Sequence, residues 1–202
     1  RDRRFTTLAI AAALGLFAQI GLISQLFSLL VPPLGESGAG AALALATGGA
    51  IAGRTLLGLA IGPGADRRIA GAANVTLQAC GSVVLIFAAG QSVVLLTLGC
   101  LLFGLGLGNV TSLPPLIAQA EFMPTDVPRV VALVTALSQG TYAFAPAVFG
   151  ILRSVGQGVG FSASAGAAVV LFTAAALIQL SSGAVFILGR RRRGSTSPAG
   201  RQ

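Results

Sequence analysis

The run from Ile69 to Ala120, IAGAANVTLQACGSVVLIFAAGQSVVLLTLGCLLFGLGLGNVTSLPPLIAQA, contains no charged residue. About 20 apolar residues carry a helix across the hydrocarbon core of a bilayer. This run is therefore long enough for two crossings, with a turn at Gly90-Gln91-Ser92. Arg67 and Arg68 precede it and Glu121 follows it. Further charge-free runs cover Phe5–Gly35, Ser37–Gly53, Val130–Leu152 and Ser154–Gly189. The sequence thus predicts six spanning helices at Phe5–Val31, Gly40–Ile61, Ala70–Ala89, Val93–Ala120, Val130–Leu152 and Ala163–Leu188. Transmembrane barrel strands are short and alternate in polarity, which these continuous runs do not.

The composition agrees. With 54% hydrophobic and 9% charged residues, the chain has too little polar sequence to coat a soluble core. The net charge of +8 does not indicate nucleic-acid binding, because the arginines flank apolar runs instead of forming a basic face with interleaved aromatics. They sort by gap. Arg1, Arg3 and Arg4 precede the first span; Arg67 and Arg68 follow the second, Arg129 the fourth, and Arg190–Arg193 and Arg201 the sixth. The alternate gaps hold Arg153 alone. Positively charged short loops stay cytoplasmic, so both termini are expected inside, in a bacterial inner membrane. Residues 1–4 form a basic lead-in, 5–188 the membrane domain, and 189–202 a basic cytoplasmic tail expected to be disordered. Cys80 and Cys100 fall inside spans as small apolar residues.

Small residues recur at four-residue spacing: Ala42, Ala46 and Ala50; Gly49 and Gly53; Gly104 and Gly108; Ala132, Ala136 and Gly140. Such stripes let helix backbones approach closely in lipid. Pro114-Pro115 and Pro146 predict kinks in the fourth and fifth spans.

The chain has no His, and its five carboxylates (Asp2, Glu36, Asp66, Glu121 and Asp126) lie in loops or at span ends. Without an imidazole base, neither a Ser-His intramembrane protease nor a His-Glu-x-x-His zinc protease is possible. No enzymatic activity, metal or cofactor is expected. Arg54 is the one charge within a span. Burying it costs about 2.5–3.5 kcal/mol on insertion scales, so it should face the bundle interior or a watery cavity. Its guanidinium suits a carboxylate; equally, it could bind helix-end carbonyls at the cytoplasmic side. Gln19 and Gln25 in the first span, Asn109 in the fourth, and Gln139, Thr141 and Tyr142 in the fifth could line a pathway or join helices by hydrogen bonds. Ser138 and Gln139 share a helical face with Tyr142. Gly62-Pro63-Gly64-Ala65-Asp66-Arg67-Arg68 reads as a tight turn whose Asp66 accepts from the following helix N-terminus.

Gly53-Arg54-Thr55-Leu56-Leu57-Gly58, followed by Gly62-x-x-x-Asp66-Arg67, resembles the loop motif Gly-x-x-x-Asp-Arg-x-Gly-Arg-Arg of the major facilitator superfamily as it recurs between helices eight and nine. The trailing Gly-Arg-Arg is missing, and Gly62-Pro63-Gly64 has the character of an insertion. The resemblance covers Phe5–Leu188 and implies an all-α membrane protein, one six-helix half of such a transporter, the spans being helices seven to twelve. It implies alternating-access transport of a small solute, with Gly58, Gly62, Asp66 and Arg67 in the conformational loop and Arg54 toward substrate; Gln19, Asn109, Gln139 and Tyr142, polar near span midpoints, are the candidates to complete the cavity wall. Some carboxylate carriers of the superfamily are similar in placing an arginine in helix eight, where Arg54 falls, which makes an organic anion such as a monocarboxylate one candidate for the small solute. The basic partner of the oxalate carrier in helix eleven has no counterpart in Val130–Leu152. The expected partners are the lipid bilayer, the solute and a second six-helix half, the chain beginning with Arg instead of Met as a partial product would. A self-contained six-helix channel or homodimeric transporter, and a non-transporting membrane assembly subunit, are the alternatives.

Overall fold

The fold is described from a computed structural model for residues 2–62, 64–88, 92–158 and 162–190. Gly90 and Gln91 of the expected turn, Arg1, and the tail beyond Arg190 lie outside them. All regular structure among the described residues is helical: α1 Arg3–Ala60, α2 Arg67–Ala88, α3 Val93–Leu107, α4 Leu113–Glu121, α5 Val127–Tyr142, α6 Ala145–Gln157 and α7 Ala163–Leu188. Four stretches are long and apolar enough to cross a bilayer, namely α1, α2, Val127–Gln157 and α7.

The first two expected spans belong to one helical element. Straight, its 58 residues would extend about 87 Å, yet Arg4 near its start and the short link after its end both lie beside α2. The Arg4 carbonyl accepts from Arg68, and six residues join Ala60 to Arg67. The element therefore doubles back on itself. Pro32 and Pro33 remove helical donors, and Gly35 is the one residue with non-helical dihedrals, φ 70° and ψ 171°. Positive φ with extended ψ is open almost only to glycine. The stretch from Pro32 to Ala39 is thus a helical reversal and not an open loop.

The fourth span breaks earlier than its prolines. α3 ends at Leu107, residues 108–112 turn, and Pro114 and Pro115 sit in the first turn of α4, where a missing N–H costs nothing. The fifth span breaks at Ala143-Phe144, ahead of Pro146. It then continues as α6 to Gln157, which puts Arg153 within a helix and not beyond one.

Close backbone contacts hold α3 against the second segment of α1. A Cβ on Gly53 would strike the Leu105 carbonyl, and Cβ atoms on Gly104 and Gly108 would strike the Ala46 and Ala50 carbonyls. These are the small-residue stripes read in the sequence. The stripe on α5 behaves otherwise: Ala132, Ala136 and Gly140 are exposed, with nothing within 4 Å of a Cβ placed on Gly140.

Two apolar clusters form the core. One joins Leu22, Leu26, Leu85, Phe103, Phe149 and Phe172 toward the Gly35 end. The other joins Leu8, Ala12, Val75, Ile117, Val134 and Phe186 toward the end where arginines gather.

Candidate functional site

Between the two apolar clusters lies a polar layer of uncharged side chains. Asn74, Gln78 and Ser82 are spaced by four, so they form one stripe along α2. Gln19 reaches them from α1, Asn109 from the α3–α4 break and Gln179 from α7, and all six are 5% exposed or less. Asn74 Nδ2 and Gln78 Nε2 donate to the Gly106 carbonyl at 2.9 and 2.8 Å. Asn109 Nδ2 donates to Asn74 Oδ1 at 2.9 Å, Gln78 Nε2 to Gln19 Oε1 at 3.3 Å, and Ser82 Oγ to Gln179 Oε1 at 3.0 Å. Gly106 makes this possible, since a Cβ there would strike the Gln78 side chain. Interhelical bonds of this kind are worth about 0.6–2 kcal/mol each. Among the described residues, the Ser138 hydroxyl is the one buried polar side-chain atom without a partner.

The α3–α4 break frees carbonyls that an intact helix would consume. The Gly106 oxygen keeps the Asn109 N–H at 3.3 Å from the turn and takes the two carboxamides besides. The Gly108 oxygen, whose helical partner would be the Ser112 N–H, instead accepts from Arg54 Nε at 3.0 Å and Nη2 at 2.8 Å. That Ser112 N–H goes to the Asn109 carbonyl. Arg54 thus binds a helix-end carbonyl, one of the two roles the sequence left open, while its side chain remains exposed on the outer face of α1. A groove of about 260 Å³ runs alongside, walled by Gly53, Leu57, Leu77 and Leu105 with Asn74 and Asn109 at its floor.

The expected substrate residues do not converge. Gln19 and Asn109 are locked in the buried layer. Arg54 sits beside that layer on the outside, one residue's bond away through Gly108. Gln139 is exposed and Tyr142 half-buried on the outward side of α5. Gln25 and Ser28 on α1 both accept from Arg153 Nη1, so the arginine that breaks the charge pattern is held by neutral oxygens near the Gly35 end.

At the opposite end the loop motif resolves residue by residue. Asp66 Oδ1 accepts from the N–H groups of Arg68 at 3.0 Å and Ile69 at 3.3 Å, the helix-start role read from the turn. Asp66 Oδ2 pairs with Arg190 Nε at 2.8 Å. Partial burial acts to raise the Asp66 pKa, but the Arg190 hydrogen bond, the two backbone N–H groups and the Arg190 charge outweigh it and hold the carboxyl below its ordinary 3.8. Arg67 donates to the Leu116 carbonyl on α4. Gly58 and Gly62 are exposed with open space around them.

The sequence reading gave Arg68 only an orienting role. The structure buries it to 1% exposure, with Nε and Nη2 forked onto Glu121 Oε1 and Oε2 at 2.6 and 2.8 Å. Nη1 donates to Thr7 Oγ1 and Nη2 to the Arg4 carbonyl, both at 2.9 Å. Gly189 leaves the space the guanidinium occupies. One side chain therefore ties together the starts of α1 and α2 and the end of α4. A signal was available: Arg68 opens the third predicted span and Glu121 closes the fourth, which puts both at the same end of the predicted bundle.

Compared with known proteins, the chain matches no protein-family model and no curated protein.

Proposed function

We propose that this chain is one six-helix half of a secondary transporter of the major facilitator type, moving a small organic anion such as a monocarboxylate by alternating access. The six passes are the two segments of α1, then α2, α3 with α4, α5 with α6, and α7, set in a bacterial inner membrane with both termini cytoplasmic.

One observation carries the reading. The second segment of α1 and α5 turn polar and small side chains away from their own bundle: Arg54, Thr47, Thr55 and Gly48 on one, Thr135, Gln139, Thr141 and Gly140 on the other. A guanidinium and a carboxamide at membrane depth need a water-filled cavity or another protein surface, not lipid. A second bundle facing these two helices supplies both, with a solute pathway between them and Arg54 on its wall. The discontinuous fourth and fifth spans support the same reading, because transporter binding sites gather where spanning helices are interrupted. The outward face is also what a homodimer would bury, so the mass of the assembly in detergent separates the two arrangements.

The test is uptake of labelled short-chain carboxylates into membrane vesicles containing the protein in its natural full-length context. Arg54→Gln should abolish uptake while membrane insertion persists, and Arg54→Lys should keep the charge but lose the two-pronged geometry and most of the rate. Unchanged uptake kinetics in Arg54→Gln would remove Arg54 from the pathway.

A further inference from the structure

The arginine-rich end carries a cleft of about 1400 Å³ that neither the solute pathway nor the Arg68–Glu121 clamp uses. Arg3, Arg67 and Arg190 line it, along with Asp66 and Glu121. Glu121 is committed to Arg68 through both oxygens. Three guanidinium groups therefore face one further carboxylate, Asp66, which is ionised near neutrality and already paired with Arg190 Nε. Each arginine is positioned by a single anchor and keeps further N–H groups without a partner among the described residues. Arg3 Nη2 donates to the Leu188 carbonyl, Arg67 Nη1 to the Leu116 carbonyl, and Arg190 Nε to Asp66. The remaining walls are apolar and exposed: Ile69 at 43%, Ile187 at 43% and Leu188 at 61%.

A pocket with cationic donors at the membrane surface and bare aliphatic residues beside them matches a molecule with an anionic head and a hydrocarbon tail. We infer that this cleft between the starts of α1 and α2 and the end of α7 binds the phosphodiester headgroup of an anionic phospholipid, its acyl chains lying along Ile69, Ile187 and Leu188. The inference requires that the chain reside in a bilayer but not that it transport anything, so it survives if the solute reading fails. Free phosphate shares the headgroup's charge but would gain nothing from the apolar wall.

The experiment is native mass spectrometry of the full chain equilibrated with equal amounts of phosphatidylglycerol and phosphatidylcholine. Phosphatidylglycerol should be retained preferentially. Arg3→Gln and Arg190→Gln, both at exposed residues that leave the fold intact, should each cut the preference about five-fold, the effect of one basic residue near an anionic membrane surface. Arg3→Lys should largely retain it. Arg129→Gln removes an equal charge at the same end of the bundle but outside the cleft, and should leave the preference unchanged. Equal retention of the two lipids would overturn the proposal. So would an Arg129→Gln loss as large as that of the cleft variants, which reports diffuse attraction. Displacement of the lipid by millimolar inorganic phosphate would show a free-anion site instead and sink the lipid assignment.

Discussion

Replacing Glu121 by Gln keeps the shape of the side chain and removes the charge that balances Arg68. Two short charge-assisted bonds, at 2.6 and 2.8 Å, are weakened or lost. Deleting one partner of a buried ion pair costs about 3–5 kcal/mol, mostly through the uncompensated charge left behind. Two features place this site at the low end. Glu121 keeps 17% exposure, and Arg68 retains Thr7 Oγ1 and the Arg4 carbonyl as acceptors. The expected loss is therefore about 3 kcal/mol, which for a chain of this size corresponds to a midpoint lowered by about 6–12 °C. Thermal unfolding of detergent-purified protein, followed by circular dichroism, measures it. The companion variant is Arg68→Met with Glu121→Met. Paired replacement of a buried salt bridge by apolar residues is close to neutral, so the double variant should recover to within about 1 kcal/mol of the natural protein. If the single change costs no more than an exposed control such as Glu36→Gln, or the double change is worse than the single, then the pair is not the clamp described.

Asp66→Asn should destabilise modestly at neutral pH. A folded pKa held below 3.8 means the carboxylate contributes stability above that value and loses it as pH falls through the lower folded pKa, so natural and variant unfolding midpoints should converge below pH 3.8. Gly53→Ala should reduce the yield of folded protein, because the new methyl meets the Leu105 carbonyl and the α1–α3 contact must open, at about 1–3 kcal/mol. Gly58→Ala, on the same helix with open space around it, should be neutral or stabilise by up to about 1 kcal/mol. The two variants compared by thermal unfolding separate packing from helix propensity. For topology, in a Cys80→Ser, Cys100→Ala background, Ser92→Cys should react with an impermeant thiol reagent from outside and Thr125→Cys only after the membrane is opened; the reverse pattern would invert the orientation.

Hydropathy made the helical class and the approximate helix positions legible, since apolar runs bounded by arginines leave little else for the backbone to do. Close packing through Ala46, Ala50, Gly53, Gly104 and Gly108 was legible as small residues at four-residue spacing, but not which helices meet, since Ala132, Ala136 and Gly140 have the same spacing and stay exposed. That the chain reverses between Val31 and Gly40 was legible too, but not the form of the reversal, because nothing in Pro32-Pro33-Leu34-Gly35 distinguishes a loop from a helix interrupted at one residue. Pro114-Pro115 pointed to a kink but not to its place, as prolines fit the first turn of a helix and push the break upstream. The buried layer was visible as Asn74, Gln78 and Ser82 along one face of α2, yet polar residues taken singly near span midpoints do not reveal that they share a partner. Which faces turn outward was the hardest part. These helices are apolar nearly all round, so the periodicity that marks the buried side of a soluble helix is weak here.

The interrupted helix α3–α4 has a consequence for biogenesis. In the bilayer setting proposed above, a helix that closes its own hydrogen bonds can rest in lipid alone, but one whose Gly108 carbonyl has only a side-chain donor cannot do so without cost. Its donor, Arg54, and the carboxamides of Asn74 and Gln78 that add to Gly106 all precede this segment in the chain. They emerge from the ribosome first. On that reading the order of translation makes each donor available before the carbonyl it serves arrives.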